Sequence, residues 1–356
     1  MTSSTAVLVS GGVDSSVALM RLADRDPRRL RAFYLKIWLE DEMAFLGSCP
    51  WQEDLDMARE VCALARVPLE VMSLQREYLE RVVEHTLAEL RLGRTPSPDV
   101  MCNRRIKLGA FLERLGPDWR QVASGHYART AERGGLVRLR RGRDPVKDQS
   151  YFLSHLTQDQ VRRAIFPVGD LDKSTVRAEA ASRGLPNSDR PDSQGICFLG
   201  RIPFDDFVAY KLGERPGEIR DVDRGALLGE HRGYWFHTIG QRRGLGLAGG
   251  PWYVTGKDVE GNVVWVTHGE RLLEHAAGRL VVRRPHWVAE PPAHSRLEVR
   301  VRHSPVLVGC EIGPAAGGGL EIVLDRADPG VAAGQFAALY DGDECLGGGA
   351  VDEAGV

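Results

Sequence analysis

The sequence predicts an α/β fold in three units: a parallel-sheet domain over 1–203, a small central mixed domain over 204–275 and an antiparallel β-barrel over 276–356. Three observations predict it. From residue 5 to about 130, short apolar runs alternate with amphipathic stretches, the pattern of a parallel sheet with helices on both faces. After about 203 glycine becomes more frequent and helical periodicity fades. From about 276 the chain is a series of short β-like runs separated by Gly and Pro, which suits a small barrel or sandwich.

Taken in order, "TAVLVS" is the first strand and "SSVALMRLADR" the helix after it. "LRAFYLKIW" is the second strand, and "PWQEDLDMAREVCALARV" a helix with Pro50 near its start. "LEVMSL" is the third strand. "REYLERVVEHTLAELRLGR" is a helix ending near Gly93, and "NRRIKLGAFLERLG" one closed by Gly116. "RQVASGHYAR" is the fourth strand, running into a Gly-His turn. Further helices follow at "TQDQVRRAIF" and "DKSTVRAEAASRG". In the last unit "YDGDECLGG" predicts a hairpin turning at Asp341-Gly342-Asp343.

At 356 residues the chain exceeds one typical domain, and 43% apolar with 27% charged residues gives each unit a core. No window approaches eighteen apolar residues, so no transmembrane helix is expected. The first strand begins at once, so a cytoplasmic protein without a targeting segment is expected. None of the six cysteines forms a C-x-x-C pair, which argues against a zinc ribbon or a thioredoxin-like site. The net charge of −2 does not mark a nucleic-acid binder. Two basic runs, 133–148 and 279–303, are nevertheless candidate phosphate patches, since a charged surface acts over only about 8–10 Å.

The break after the first strand, Ser10-Gly11-Gly12-Val13-Asp14-Ser15-Ser16, is a phosphate-binding arrangement. Glycines let successive N–H groups face one anion, and the helix that follows adds positive potential. Ser10, Ser15 and Ser16 can donate from their hydroxyls, while Asp14 suits Mg2+. The Lys of a Walker A loop is missing. The string resembles the PP-loop of the N-type ATP pyrophosphatases, which implies an adenine nucleotide α-hydrolase-like domain that cleaves ATP between the α- and β-phosphates.

Two cysteines stand out by their neighbours. Cys102 is placed at the start of a helix and is followed by Asn103, Arg104 and Arg105; cations and a helix N-terminus lower a thiol's pKa. Asp99 lies three residues earlier, where it could move a proton. Cys197 follows a glycine in a Pro- and Asp-rich loop near Arg201. Cys62, in a regular helical pattern, reads as core.

The segments "SGGVDSSVA", "TPSPDVMCNRRIK", "ASGHYAR", "KDQSYFL", "DSQGICFLG" and "HTIGQRRGLGL" occur in that order. Together they resemble the bacterial and organellar tRNA-specific 2-thiouridylases, over residues 7 to about 350. The stretch 39–62 resembles the plastid-type branch. Ser97 stands where an Asn is common, and Ser124 where a Thr is common.

The resemblance implies ATP-dependent adenylation of the C2 oxygen of a wobble uridine. A sulfur carried as a persulfide on Cys197 then displaces AMP. It implies Cys102 as the second catalytic thiol, able to form a Cys102–Cys197 disulfide, with Asp99 handling a proton. ATP with Mg2+ at Asp14 is held by Leu8, Val9, Ser10, Gly11, Gly12, Val13, Asp14 and Ser15, with Leu35 lining the adenine pocket and Gly125 leaving room for the nucleotide. His126, Lys147, Asp148, Gln149, Arg302, His303 and Gln335 are implied to contact tRNA at the anticodon stem-loop. The implied partners are tRNA and a sulfur-relay or cysteine desulfurase donor, and a monomer is expected. The base must leave its stack to react. The alternatives are an amide-forming PP-loop synthetase, which would not need the cysteine pair, and a non-catalytic tRNA-binding protein.

Overall fold

β1 (Ser4–Leu8) lies at the centre of a five-stranded parallel sheet of order β3-β2-β1-β4-β7, with β2 at Leu30–Lys36, β3 at Leu69–Ser73, β4 at Trp119–Ala123 and β7 at Ala164–Ile165. The structure, a computed structural model, describes residues 4–37, 51–192 and 202–355. Among them no helix is long and apolar enough to cross a membrane.

The apolar runs of β1 and β2 are nearly continuous because both faces are covered there, whereas the edge strand β3 leaves Val71 exposed. Ala6 and Leu8 enter one apolar cluster with Phe33 and Val122; Val7 and Val9 enter another with Ala32, Tyr34 and Ala123. Helices α1 (Val13–Ala23) and α2 (Trp51–Ala65) cover the second face through Val17, Leu19, Leu55 and Val61. Helices α3 (75–91) and α4 (98–115) cover the first through Tyr78, Val82, Val100 and Phe111. Each such fully buried side chain stabilises by about 1.5–3 kcal/mol. The order of strands reverses at β1, so a crevice opens at its carboxyl end, where ligands of such sheets bind.

α4 is one helix whose middle, Asn103–Ala110, is wound as a π-helix. Such winding displaces carbonyls from their usual partners, and Gln160 Nε2 donates to two of them, Arg104 O at 2.7 Å and Leu108 O at 2.8 Å. Gly109 permits it, because a Cβ there would lie 2.7 Å from Arg104 O.

After β4 the chain does what the sequence pattern did not announce. β5 (Ala128–Arg133) and β6 (Leu136–Arg141) form a hairpin around Gly134 and Gly135, whose φ angles of +62° and +76° suit a tight primed turn. The hairpin joins the C-terminal sheet, Arg140 opposite Glu344 and Leu139 opposite Cys345. The first unit therefore lends two strands to the third, and a cut at 203 does not separate them.

The remaining helices are α5 (Ser150–Leu153), α6 (Gln158–Arg163), α7 (Lys173–Ser182) and α8 (Phe204–Leu212). The central unit is a four-stranded sheet of β8 (Gly217–Asp221), β9 (Leu227–His231), β10 (Trp252–Asp258) and β11 (Val263–His268) over Ile219, Val254, Val264 and Val266. The third is a ten-stranded, barrel-like antiparallel sheet. It comprises β5, β6, β12 (Ala277–Val282), β13 (His286–Trp287), β14 (Arg296–Arg300), β15 (Val308–Pro314), β16 (Leu320–Asp328), β17 (Phe336–Asp341), β18 (Glu344–Ala350) and β19 (Glu353–Gly355). Its inner face buries Leu280, Val299, Ile322 and Leu339. Phe336, Ala338, Tyr340 and Cys345 join the first cluster of the parallel-sheet unit instead. The β17–β18 hairpin turns at the expected residues, with Gly342 at φ +59°.

Candidate active site

The loop from Ser10 to Gly12 occupies the crevice at the end of β1. Gly11 has φ +74°, where a side chain is strained, and a Cβ there would also collide with the Asp54 backbone. Gly125, just past β4, presses on the loop from the other side: a Cβ on it would lie 2.6 Å from Ser15 N. The hydroxyls predicted to donate outward hold the loop instead. Ser15 Oγ and Ser16 Oγ donate to Gly12 O at 2.9 and 3.0 Å, and Ser10 N donates to Ser15 Oγ at 3.2 Å. Asn187 Nδ2 donates to Gly11 O at 2.9 Å and to Ser16 Oγ at 2.8 Å, and Arg190 Nη1 donates to Gly11 O at 3.2 Å. With these carbonyls occupied, the loop offers an anion the first N–H groups of α1, which have no intrahelical acceptor. That cradle fits the phosphates of ATP.

Asp14 is the hub of a charged network. Its Oδ1 accepts from Lys173 Nζ at 2.6 Å and Tyr127 Oη at 2.7 Å. Lys173 Nζ also pairs with Asp192 Oδ1 at 2.8 Å, and Lys147 Nζ with Asp192 Oδ2 at 2.7 Å. Burial raises the Asp192 carboxyl, but the hydrogen bonds and charges of Lys147 and Lys173 outweigh it and bring the pKa down to about 2. Burial and the Asp14 charge push the Tyr127 phenol up, so it remains a donor. Asp14 Oδ2 accepts from no described residue, and no cluster of three metal-ligating side chains exists among the described residues. One free carboxylate oxygen fits an Mg2+ held mainly by phosphates and water.

Lys173, Tyr127, Asn187, Arg190 and Asp192 were not singled out from the sequence. One signal was present for Lys173. It is the first residue of α7, where a cation opposes the helix dipole and is disfavoured without a carboxylate partner. Nothing in the local pattern of Asn187 or Tyr127 distinguishes them.

Cys102 is buried and belongs to the apolar cluster that includes Leu8, with Leu35 packed against it. The placement at a helix start is corrected: α4 begins at Pro98, so Cys102 is in its second turn, just before the π-wound segment, and Asp99 is in the first. The helix terminus acts on Asp99 more than on the thiol. Arg104 and Arg105 lie in the π-wound segment that follows Cys102. Burial, then mutual repulsion, lowers the pKa of Arg104, while burial and Arg81 lower that of Arg105. Among the described residues neither pairs with a carboxylate; Arg105 Nη1 donates to Arg81 O at 2.8 Å. Burial pushes Cys62, Cys310 and Cys345 up to about 12, which keeps them as thiols. Cys197, like the segment 38–50, lies outside the described residues.

The expected tRNA contacts divide. Asp148 is a correction: it is buried, and its carboxylate accepts from Gly142 N at 2.9 Å, Ser150 N at 3.1 Å, Arg141 Nε at 3.3 Å and Arg300 Nη1 at 2.9 Å. Lys147 is turned to Asp192 and the nucleotide loop. Gln149 Oε1 accepts from Tyr127 N at 3.0 Å. Gln335 Oε1 accepts from Ala332 N at 2.8 Å within its own turn. His126 shares a hydrogen bond with Ser124 at 2.8 Å, and burial followed by the Lys107 charge lowers its pKa well below normal. Arg302 and His303 are exposed; Arg302 pairs with Asp328 at 2.9 Å, and His303 Nε2 donates to Asp148 O at 3.2 Å.

Much of the basic run 133–148 is paired internally. Arg138 pairs with Glu344 at 2.8 Å and with Glu290 at 2.5 Å, and Arg140 with Asp343 at 2.5 Å. Arg138 and Arg140 are thus paired across the junction between units, while Arg133 and Arg143 are exposed and make no ion pair among the described residues. Arg242 and Arg243 are exposed and make no ion pair among the described residues.

Three family models match the chain in succession: one described as tRNA methyl transferase HUP domain over residues 3–201, one as tRNA methyl transferase PRC-barrel domain over 205–268, and one as aminomethyltransferase beta-barrel domain over 277–351. The tRNA-specific 2-thiouridylase MnmA of Parabacteroides distasonis is 41% identical, over 97% of this chain and 98% of its own. MnmA 1 of Bacteroides thetaiotaomicron is 40% identical over 97% and 99%, and MnmA of Porphyromonas gingivalis 40% over 97% and 98%. With the glycine cradle, the Asp14 hub and the buried Cys102 on one continuous scaffold that these relatives match end to end, the chain belongs to the tRNA-specific 2-thiouridylase family.

Proposed function

We propose that this protein is a tRNA sulfurtransferase that converts the wobble uridine of tRNA into 2-thiouridine, consuming ATP. The observation that carries the reading is the polar network focused on Asp14, set beside a loop whose remaining donors are N–H groups. It is an arrangement for a polyphosphate and its cation. Lys173 balances phosphate charge as the α–β bond breaks, and the second oxygen of Asp14 would hold Mg2+, which would supply further charge neutralisation there. The uridine O2 attacks the α-phosphorus and pyrophosphate leaves. The terminal sulfur of a persulfide on Cys197 then attacks C2, and AMP departs with the oxygen. Cys102 attacks Cys197 Sγ in the resulting C2–S–S–Cys197 adduct, the bond between the two sulfurs breaks so that 2-thiouridine leaves with the outer sulfur, and two equivalents of an external thiol reduce the Cys102–Cys197 disulfide. Asp99 is the proton carrier.

For tRNA, Arg302, His303, Arg242 and Arg243 present exposed charge and hydrogen-bonding groups, which support backbone contacts. The sulfur arrives from a relay protein or a cysteine desulfurase, the protein works as a monomer, and the cytoplasm is its place of action. The test is incubation with ATP, a persulfide donor and unmodified tRNA, followed by mass spectrometry of nucleosides. The expected product is uridine with sulfur in place of oxygen, absent in Cys197→Ser. Product formation by that variant would remove Cys197 as the sulfur carrier, and no thiolated uridine from the intact protein would return the reading to an amide-forming enzyme of the same superfamily.

A further inference from the structure

Lys147, Asp148 and Gln149 are consecutive residues that reach in different directions. Lys147 holds Asp192, which holds Lys173, which holds Asp14. Gln149 is tied to the Tyr127 backbone twice: its N–H donates to Tyr127 O at 2.8 Å and its Oε1 accepts from Tyr127 N at 3.0 Å. The Tyr127 hydroxyl donates to Asp14. Both flanks of Asp148 thus end on the same carboxylate of the nucleotide loop.

Asp148 itself faces the C-terminal sheet. It holds Arg300, the last residue of β14, and its carbonyl accepts from His303. The Arg300 side chain is 1% exposed and lies 5.2 Å over the Tyr340 ring. Its Nε and Nη2 find no acceptor among the described residues. A pair this deeply buried adds little to stability, since apolar replacements for such pairs are often neutral or better. What it does fix is one arrangement of the two elements it joins.

We infer that Asp148–Arg300 is a positioning device that couples tRNA on the 302–306 loop to the grip of the PP-loop on ATP. The inference rests on the function proposed above. Arg300 touches neither ligand; it is two residues from Arg302 and acts through Asp148, whose neighbours brace Asp14 by two separate routes. Loading the loop with tRNA holds Arg300 and Asp148 in this register, and the register holds Lys173 and Tyr127 on Asp14. By linkage, ATP tightens tRNA binding by the same factor.

The test uses the full chain, the α,β-methylene analogue of ATP and unmodified tRNA. The affinity for the analogue is measured with and without saturating tRNA. The wild-type ratio is expected to be about five-fold or more. In Arg300→Met, Asp148 keeps three donors, so affinity for the analogue alone stays within about two-fold while the ratio falls toward one. A purely structural role would lower the melting temperature and leave the ratio intact. A wild-type ratio near one, or an unchanged ratio in the variant, overturns the inference. Should Arg300→Met lack a cooperative melt, Arg300→Lys is measured the same way: a reduced ratio supports the inference and a wild-type ratio overturns it. Because the measurement is of binding, it is separate from the nucleoside assay that tests the function itself.

Discussion

Two regions of this molecule are rich in cations, and they use them oppositely. In the crevice at the end of β1, Lys173 and Lys147 converge on Asp14 and Asp192, next to a loop with spare N–H groups. In the β5–β6 hairpin, Arg138 and Arg140 face carboxylates on the strands and loops of the C-terminal sheet. The hairpin has the denser run of charge, yet Arg138 and Arg140 are matched internally. The difference teaches that a charge becomes a ligand site only where its protein partners leave part of the field unmatched.

The largest expected effect that would break this contrast concerns Lys173. Lys173→Ala should lower the rate of thiolation by about 10²–10³-fold, the range for losing one preorganised electrostatic contact, whereas Arg138→Ala should change it little. Single-turnover kinetics on both variants checks this, and equal losses would erase the distinction. Next comes Gly125→Ala. Its methyl would drive against Ser15 N, and overpacking of about 1–3 kcal/mol should appear as weaker nucleotide binding with little change in tRNA binding.

The network also has a pH signature. The folded Asp192 carboxyl is held near 2 against an ordinary value of 3.8, so the stabilisation is present above about 3.8 and lost as pH falls through about 2. The loss is about 2 kcal/mol, and denaturant titrations of Asp192→Asn should lack it. His155 and His237 run the same way at higher pH. Burial first, then nearby cationic groups, lower them to about 3 and about 4, so stability should already decline below pH 6.5.

Smaller effects belong to the hairpin and the exposed arginines. Arg138→Ala should cost about 1 kcal/mol of stability, read from the denaturant midpoint, and leave the salt dependence of tRNA binding unaltered. Arg242→Ala and Arg243→Ala should each reduce the slope of log affinity against log salt by about 0.7–0.9. A reversed pattern, with the hairpin setting the slope, would restore the basic run as an RNA surface.

Much of this was legible because the signals are local. A strand, two glycines, an aspartate and two serines specify a turn and an anion cradle whatever lies around them. The alternation of period and texture marks the parallel sheet and the β-rich end. The bonds of Ser15 and Ser16 to Gly12 O are not legible in the pattern, because a hydroxyl at a helix start can donate to its own turn as readily as to a ligand. Asp148 was misjudged because a charged residue in a polar segment looks solvated until Arg300 arrives from the other end of the chain.

By itself, then, the sequence determined the loop geometry, the unit types and which thiol has cationic neighbours, since each depends on a few adjacent residues. Tertiary structure alone decided that the 128–141 hairpin belongs to the C-terminal sheet, that Lys173 and Tyr127 meet at Asp14, and that Asp148 is internal. These depend on Coulomb and hydrogen-bond partners more than 100 residues apart in sequence, and a linear pattern carries no information about which opposite charge will be brought within reach.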